Sequence, residues 1–548
     1  MIQILHKLWR NHGGLHLDYH KEDSNAAPTK HLPMAEELII PLQQHSGYKP
    51  TLTVNAGDYV YKGQELASHT GFMKVPVHAS TSGTITAIEE RPIAHPSGLS
   101  DVCIILKPDG KDDWGNARMP TYPDPSQVDG EVLRQRICAA GIVGMGGAVF
   151  PAAIKLNVHD NIPIEALVIN GAECEPYITC DDRLMREKPV EILRGVQIMM
   201  HIIATQRCLI GIEDNKPEAI AAMQAAREEL GDQRIAIIPI PTLYPSGSEK
   251  QLIKILTGKE VPSGGRPATI GIVCHNPATA RAIYRAVVLG EPLIDRYLTI
   301  TGKGVAQPCN VEVPLGTPIQ HLIAHSGGYT QKKPLPSPPL IREGSQEGSY
   351  SSPDKGRLGG VSLIMGGPMM GVSLHTDQIP VVKATNCILV SDIPESEQQP
   401  ALPCIRCGRC AEACPVTLLP QQLYWHSRAR DFDKAEQYHL FDCIECGCCS
   451  YVCPSHIRLV DYYRFAKAEI RTQREAKTKA NIARERHDFH QERLERAKRE
   501  KAEKLAKHKE QAQTTTDDGK KAAIQAALER AKAKKAEAAQ TTTGETTE

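Results

Sequence analysis

Eight of the chain's seventeen cysteines fall into two runs of the same spacing. Cys404, Cys407, Cys410 and Cys414 are followed by Pro415, and Cys443, Cys446, Cys449 and Cys453 by Pro454. Two-residue gaps let three sulfurs converge on one inorganic core from a single tight loop, and the proline after the fourth cysteine turns the chain away. A [4Fe-4S] cubane takes four thiolates, and in paired runs of this spacing the fourth cysteine of each run ligates the other cluster. The spacing predicts one cluster on Cys404, Cys407, Cys410 and Cys453 and a second on Cys443, Cys446, Cys449 and Cys414. Zinc also uses Cys-x-x-Cys pairs, but three evenly spaced cysteines plus a Cys-Pro, twice over, suit cubanes better. Cys448 lies outside the pattern and reads as a small packed thiol. The cysteines at 103, 138, 174, 180, 208, 274, 309 and 387 lack paired spacing and, with no signal peptide, read as reduced thiols in a cytosolic compartment.

Two other segments carry residue types suited to a phosphate-bearing ring: 141–155 (GIVGMGGAVFPAAIK) and 170–182 (NGAECEPYITCDD). Glycines permit close backbone approach, and a helix after the first segment would offer its N-terminus to an anion. This is not a dinucleotide fingerprint, because Val149 stands where the third glycine would fall and the loop follows a helix expected over 131–140; alone, it also reads as a tight turn. Apolar stretches at 166–170, 208–213, 235–240 and 270–275 look like buried strands, with an amphipathic helix over 216–230. Alternating strands and helices imply a mostly parallel sheet, whose ligands favour the carboxyl ends of its strands.

Around these lie several unlike stretches. At 548 residues the chain needs three or four cores. Its 64 basic and 64 acidic side chains balance, which gives no field for a nucleic-acid partner, and no apolar run approaches the ~18 residues of a spanning helix. Between Ile39 and Leu106, Gly57, Asp58, Val60, Gly63 and Gln64 precede Val77, Ala79, Ser82, Gly83 and Ile85, a pattern similar to the barrel-sandwich fold of biotinyl and lipoyl carriers. The carriers' modified lysine would fall at Phe72, beside Met73 and Lys74, so the domain reads as an unmodified platform. Short strands with Gly/Pro turns follow at 296–323 and 361–371, interrupted by a Pro/Gly/Ser-rich insertion at 331–360 that cannot bury enough apolar surface to order itself. Beyond Arg464 the residues are charged helix formers, expected as a solvated or disordered tail in two helical pieces broken at 514–520.

Taken together, 144–155 and 170–176 resemble the flavin and nicotinamide loops in the flavoprotein subunit of respiratory complex I. The order of modules over residues 1 to about 465 resembles the C subunit of the Rnf/Rsx-type ion-translocating oxidoreductase complexes. The fold class this implies is multidomain α/β and α+β. Its parts are an N-terminal segment (1–35), a barrel-sandwich hybrid (36–118), a complex I flavoprotein-like α/β domain (125–290), a β-grasp SLBB domain (291–375), a linker (376–398), a two-cluster ferredoxin-like domain (399–463) and the charged tail (464–548).

The resemblance further implies noncovalent FMN, NADH docked over it, and two [4Fe-4S] clusters relaying electrons. Gly144, Gly146 and Gly147 would line the flavin, with Lys155 and Asn170 on its phosphate or ribityl side and Glu173 nearby. Phe150 would stack on adenine and Glu175 would face the nicotinamide ribose. The segment 244–252 (YPSGSEKQL) offers Gly247 and Glu249, and 275–279 (HNPAT) offers Asn276. The sequence departs from the complex I relative at Ala172 and Ser248, where the relative carries acids. Hydride transfer to a flavin needs no side-chain acid or base, only positioned rings; for each acidic residue an ordinary capping role is the alternative. The implied partners are integral subunits and another iron-sulfur subunit of the same complex, or in some relatives a ferredoxin, at the cytoplasmic face of a bacterial inner membrane. Two other readings stay open: a soluble diaphorase subunit of a hydrogenase-type assembly, and an electron-relay adaptor that binds no nucleotide.

Overall fold

The computed structural model describes residues 7–68, 71, 73, 75–95, 97–158, 162–330, 361–392 and 399–540. The chain packs as two units, Met1–Ala466 and Lys467–Glu548. The insertion at 331–360, with Phe72 and Lys74, lies outside the described residues.

The four apolar stretches form strands Ala166–Gly171, Cys208–Glu213, Ile235–Ile240 and Ile272–His275, all parallel. Leu167 and Ile169 enter one apolar core while Val168 enters another with Leu252 and Leu256. Burial on both faces is why these runs are apolar throughout instead of alternating. In space the third strand lies beside the second, the second beside the first, and the first beside the fourth. The direction of winding therefore reverses between Ala166–Gly171 and Ile272–His275, and a crevice for ligands opens beyond the carboxyl ends at such a switch point.

The platform at the amino-terminal side has two small sheets. One orders Leu38–Pro41, Ser100–Pro108, Gly83–Pro92 and Tyr59–Val60; the other orders Thr51–Leu52, Glu65–Ser68 and Val77–His78. They share a core of Leu38, Ile40, Val60, Leu66, Ile85, Ile104 and Leu106. A third, six-stranded sheet runs from Lys30–His31 through Cys309–Pro314, Asp295–Thr301, Cys387–Ser391 and Ser362–Met365 to Val372–Leu374.

This sheet corrects one expectation. The stretch 376–398 is not simply a linker, because Cys387–Ser391 pairs in parallel with Asp295–Thr301 and antiparallel with Ser362–Met365. A run of five residues is too short for its apolar character alone to mark a strand. The first segment is tied to several elements. Trp9 N donates to Ile255 O (3.1 Å), Gly14 N to Ala413 O (3.1 Å), Leu15 pairs with Tyr244, and Lys30–His31 edges the six-stranded sheet.

After the paired cysteine runs, one helix spans Leu459–Gln540, with no break at 514–520. A lone glycine costs a helix only about 1 kcal/mol, and Ala, Lys and Glu on both sides outweigh Gly519. No helix among the described residues is long and apolar enough to cross a membrane.

Where platform, parallel sheet and six-stranded sheet meet, the buried Lys383 Nζ donates to Pro76 O (3.0 Å) and Gly141 O (2.7 Å). Burial depresses this ammonium to about 7, against about 10.4 for lysine in an unfolded chain. Between those values the unfolded chain binds the extra proton, so this side chain's contribution to stability rises with pH. Lys383→Met is expected to flatten the rise of the thermal midpoint between about pH 7 and 10 relative to the unsubstituted chain; parallel profiles in calorimetry would contradict this.

Candidate functional site

The glycine segment leaves the helix Gly130–Ala139 and closes on itself through Gly144 N donating to Phe150 O (2.8 Å). It is pinned from below: Met145 N donates to Thr279 Oγ1 (3.0 Å), and Arg296 Nη2 donates to Met145 O (3.3 Å). Gly146 and Gly147 are exposed, Gly147 with φ +108°, and a side chain on Gly147 would meet nothing within 4 Å. The loop thus offers bare backbone beside Asn276, which lies 3.6 Å from a Cβ built on Gly146. Phe150 is half-buried. The expected helix after this loop is a four-residue turn, Ala152–Lys155, so the positive charge available to an anion is the Lys155 ammonium, ion-paired with Glu249.

Asn170 ends the first strand at the switch point. Its Nδ2 donates to Gly247 O (2.7 Å) and its Oδ1 accepts from Ala172 N (3.3 Å). Across the crevice Asn276 caps the helix Pro277–Tyr284 and donates to Asp181 Oδ2 (2.6 Å). The structure therefore brings Gly144–Gly147, Asn276 and Asp181 together on one side and Lys155, Glu249, Asn170 and Gly247 on the other. Between them, His275 is buried, with Nε2 unpartnered; burial, then the Lys155 charge, holds it well below the ordinary imidazole range.

The two glutamates have structural duties. Glu173, at φ +48°, accepts from Asp181 N (2.6 Å) and Asp182 N (3.2 Å) and so caps the helix Cys180–Glu187. Glu175 Oε1 accepts from Met369 N (2.7 Å) and Met370 N (2.9 Å), which seats the turn 366–371 on this loop. Burial pushes the carboxyls of Glu173, Glu175 and Asp181 up, with Lys21 opposing it at Glu173.

Lys21 itself is buried and donates to the carbonyls of Glu173 (2.8 Å), Glu175 (3.2 Å) and Ile178 (2.7 Å). Nothing in the sequence marks a lone lysine in the first segment as the clamp of a loop about 150 residues away. Arg296 likewise carries no sequence signal for its hold on the glycine loop, whereas Thr279 lies within the segment 275–279 and Asp181 within the loop 170–182.

The cysteine runs line two cavities. One, the inner, is bordered by Cys414, Cys443, Cys446 and Cys449, with Cys448 and Tyr463 beside them. The other, the outer, is bordered by Cys404, Cys407, Cys410 and Cys453, of which Cys407 is exposed. Burial and neighbouring thiols push Cys449 well up, so ionising the thiols that border this cavity takes a cationic centre among them. That donor set fits an iron-sulfur cubane. The inner cavity abuts the flavin-type loops: Tyr244 is fully buried and donates to Cys446 O (2.6 Å), within an apolar cluster that includes Cys174, Ala413 and Cys448 and packs against Met369 and Ile444.

Four domain families match in this order: the RnfC barrel sandwich hybrid domain (9–111), the Nuo51 FMN-binding domain (137–285), the SLBB domain (297–349) and the 4Fe-4S dicluster domain (403–457). The C subunit of the ion-translocating oxidoreductase complex of Erwinia tasmaniensis is 46% identical over 97% of this chain and 62% of its own length. That of Haemophilus influenzae is 45% identical over 97% of this chain and 75% of its own. The chain thus spans about 62% of the length of some curated relatives it matches. A solved NAD+-reducing [NiFe]-hydrogenase chain aligns over 65% of this chain and 64% of its own, at 18% identity and a TM-score of 0.42.

Replacing Lys21 by Met removes three hydrogen bonds to buried carbonyls, at an expected cost of about 3 kcal/mol locally. Amides 173–181 should then exchange faster by hydrogen-deuterium mass spectrometry while those of 100–108 keep their protection; unchanged exchange at 173–181 would rule out the clamp.

Proposed function

We propose a role for a chain that belongs to the C-subunit family of ion-translocating oxidoreductase complexes: it is the electron-input arm of such a complex. It takes electrons from NADH at the crevice of the parallel sheet and relays them through two [4Fe-4S] sites toward membrane partners, which couple the current to ion movement. The observation that carries this is the Tyr244–Cys446 hydrogen bond, which joins the crevice loops to the inner cysteine cavity through buried apolar packing.

Bound FMN would supply the exchange between hydride and single-electron chemistry. The chain's own part is positional. Gly144, Gly146 and Gly147 let the backbone approach a ring; Lys155 and Asn170 present a cation and an amide to a phosphate and ribityl chain. Asn276, Gly247 and Glu249 complete the rim, and Phe150 offers an aromatic face for adenine. Glu173 fixes the crevice loop by capping its helix. The inner site would be held by Cys443, Cys446, Cys449 and Cys414 and the outer by Cys404, Cys407, Cys410 and Cys453. Partners in this reading are the integral subunits and a further iron-sulfur subunit, with the chain peripheral on the cytoplasmic face of a bacterial inner membrane; a ferredoxin is the alternative exchange partner. One observation favours a nucleotide-free relay adaptor instead: Glu175, expected at the nicotinamide ribose, is already bound by Met369 and Met370.

Anaerobic NADH titration of the FMN- and cluster-reconstituted chain separates the two. Bleaching near 450 nm together with reduced-cluster EPR signals is the expected result; clusters that respond to dithionite but never to NADH would establish the adaptor. Crossed ligation makes a second expectation. Cys414→Ser and Cys443→Ser should abolish the same EPR signal, and Cys453→Ser and Cys404→Ser the other; loss grouped by run instead would refute the assignment.

A further inference from the structure

The two cysteine runs are internal copies with the same backbone. Arg406 and Glu445 both have φ near +57° (+56° and +58°), and Gly408 and Gly447 both have φ +81°. Their surroundings differ. In the second copy Ile444 packs with Cys174, Tyr244 and Met369, the Cys446 carbonyl accepts from Tyr244, and Gly447 lies so close to Met369 O that a Cβ would approach to 2.8 Å. In the first copy the equivalent face is open: a Cβ on Gly408 would meet nothing within 4 Å, Cys407 is exposed, and Ile405 is 69% exposed. Trp425, 39% exposed, extends this apolar rim around the outer cavity, and Leu402, 56% exposed, donates its N–H to the lining residue Ser455 (2.9 Å).

The charges differ as well. Glu445 in the second copy pairs with Arg464 (3.2 Å). Its counterpart Arg406, and Arg409 two residues after Cys407, are exposed and have no charge partner among the described residues. Glu412 is the acid nearest in sequence, while Arg458 and Asp461 pair with each other (2.9 Å).

We infer that the uncovered face of the first run, formed by Leu402, Ile405, Arg406, Gly408, Arg409 and Trp425, is the docking surface for an acidic-faced iron-sulfur protein. It does for the outgoing electron what the covered face of the second run does for the incoming one. The partner's apolar centre covers Ile405 and Trp425, and its carboxylates meet Arg406 and Arg409. A [4Fe-4S] cluster, which Cys404, Cys407, Cys410 and Cys453 would hold here, would supply one electron to the partner's oxidised cluster, with no bond made or broken. This deepens the relay reading above and rests on it.

The test uses the full reconstituted chain with an acidic [2Fe-2S] ferredoxin as probe and a basic c-type cytochrome as counter-probe. Binding is measured by titration, and electron transfer from the dithionite-reduced chain by stopped flow. Ferredoxin binding should weaken with added salt, and its Kd should rise about tenfold or more in Arg406→Glu/Arg409→Glu. Lys107→Glu/Lys111→Glu, on the platform, should leave it unchanged, and iron content and both EPR signals should stay intact in each variant. Equal ferredoxin affinity in the Arg406/Arg409 variant, insensitivity of the unsubstituted chain to salt, or preference for the cytochrome would overturn the docking surface. Because dithionite bypasses the crevice, failure of NADH to reduce the clusters overturns the input reading alone.

Discussion

The contact between Tyr244 and the Cys446 carbonyl is the point on which the architecture turns. The electron relay proposed above is served by a fixed, dry gap between the crevice and the cysteine sites, and a tyrosine with its ring in an apolar cluster and its hydroxyl on a backbone acceptor supplies both. Its neighbours are arranged around that need. Gln251 Nε2 donates to Pro415 O (3.2 Å), Gly14 N reaches Ala413 O, and the 366–371 turn is seated on Glu175 and against Gly447. Three separate elements therefore register the cysteine runs against the sheet crevice.

Polar contacts, several of them long-range, help hold the loops in place. Lys21 and Lys383 each bind carbonyls of distant segments, and Glu213 holds both Lys216 (3.1 Å) and Ser246 (2.7 Å) near the base of the 244–252 loop. Loops carry unpaired backbone groups by nature, and when buried they need such donors or they do not bury at all. A lysine supplies three donors on a flexible stem, which explains its use here in positions where an isolated charge would be costly.

Much of this was legible in the residues. The cysteine spacing, the four doubly buried strands and the glycine pair at 146–147 are local signals, set by ligand geometry, sheet burial and backbone freedom. The crossed arrangement around the two cavities follows from the same spacing. The strand Cys387–Ser391 was not legible, because a run of five residues outside any regular strand–helix alternation does not by itself mark a strand, and the Lys21 clamp was not, because its partners lie more than 150 residues away. Glu175 shows the limit of transferring a role by motif: the letter stands at the expected place, but its oxygen is engaged by a turn from another sheet. The continuity of Leu459–Gln540 shows the weakness of a single glycine as a helix breaker.

The route of residues 9–31 bears on how the molecule is assembled. This stretch leaves the ribosome early, yet it hydrogen-bonds to Ile255, pairs with Tyr244 and Val311, and lies against Ala413. The parallel sheet and the other five strands of the six-stranded sheet can form from later sequence, whereas the opening strap cannot complete its contacts until Ala413, about four hundred residues on, has emerged. Non-local closure of this kind is slow, so the seating of Gly14 on Ala413, beside the first cysteine run, is a late contact of folding.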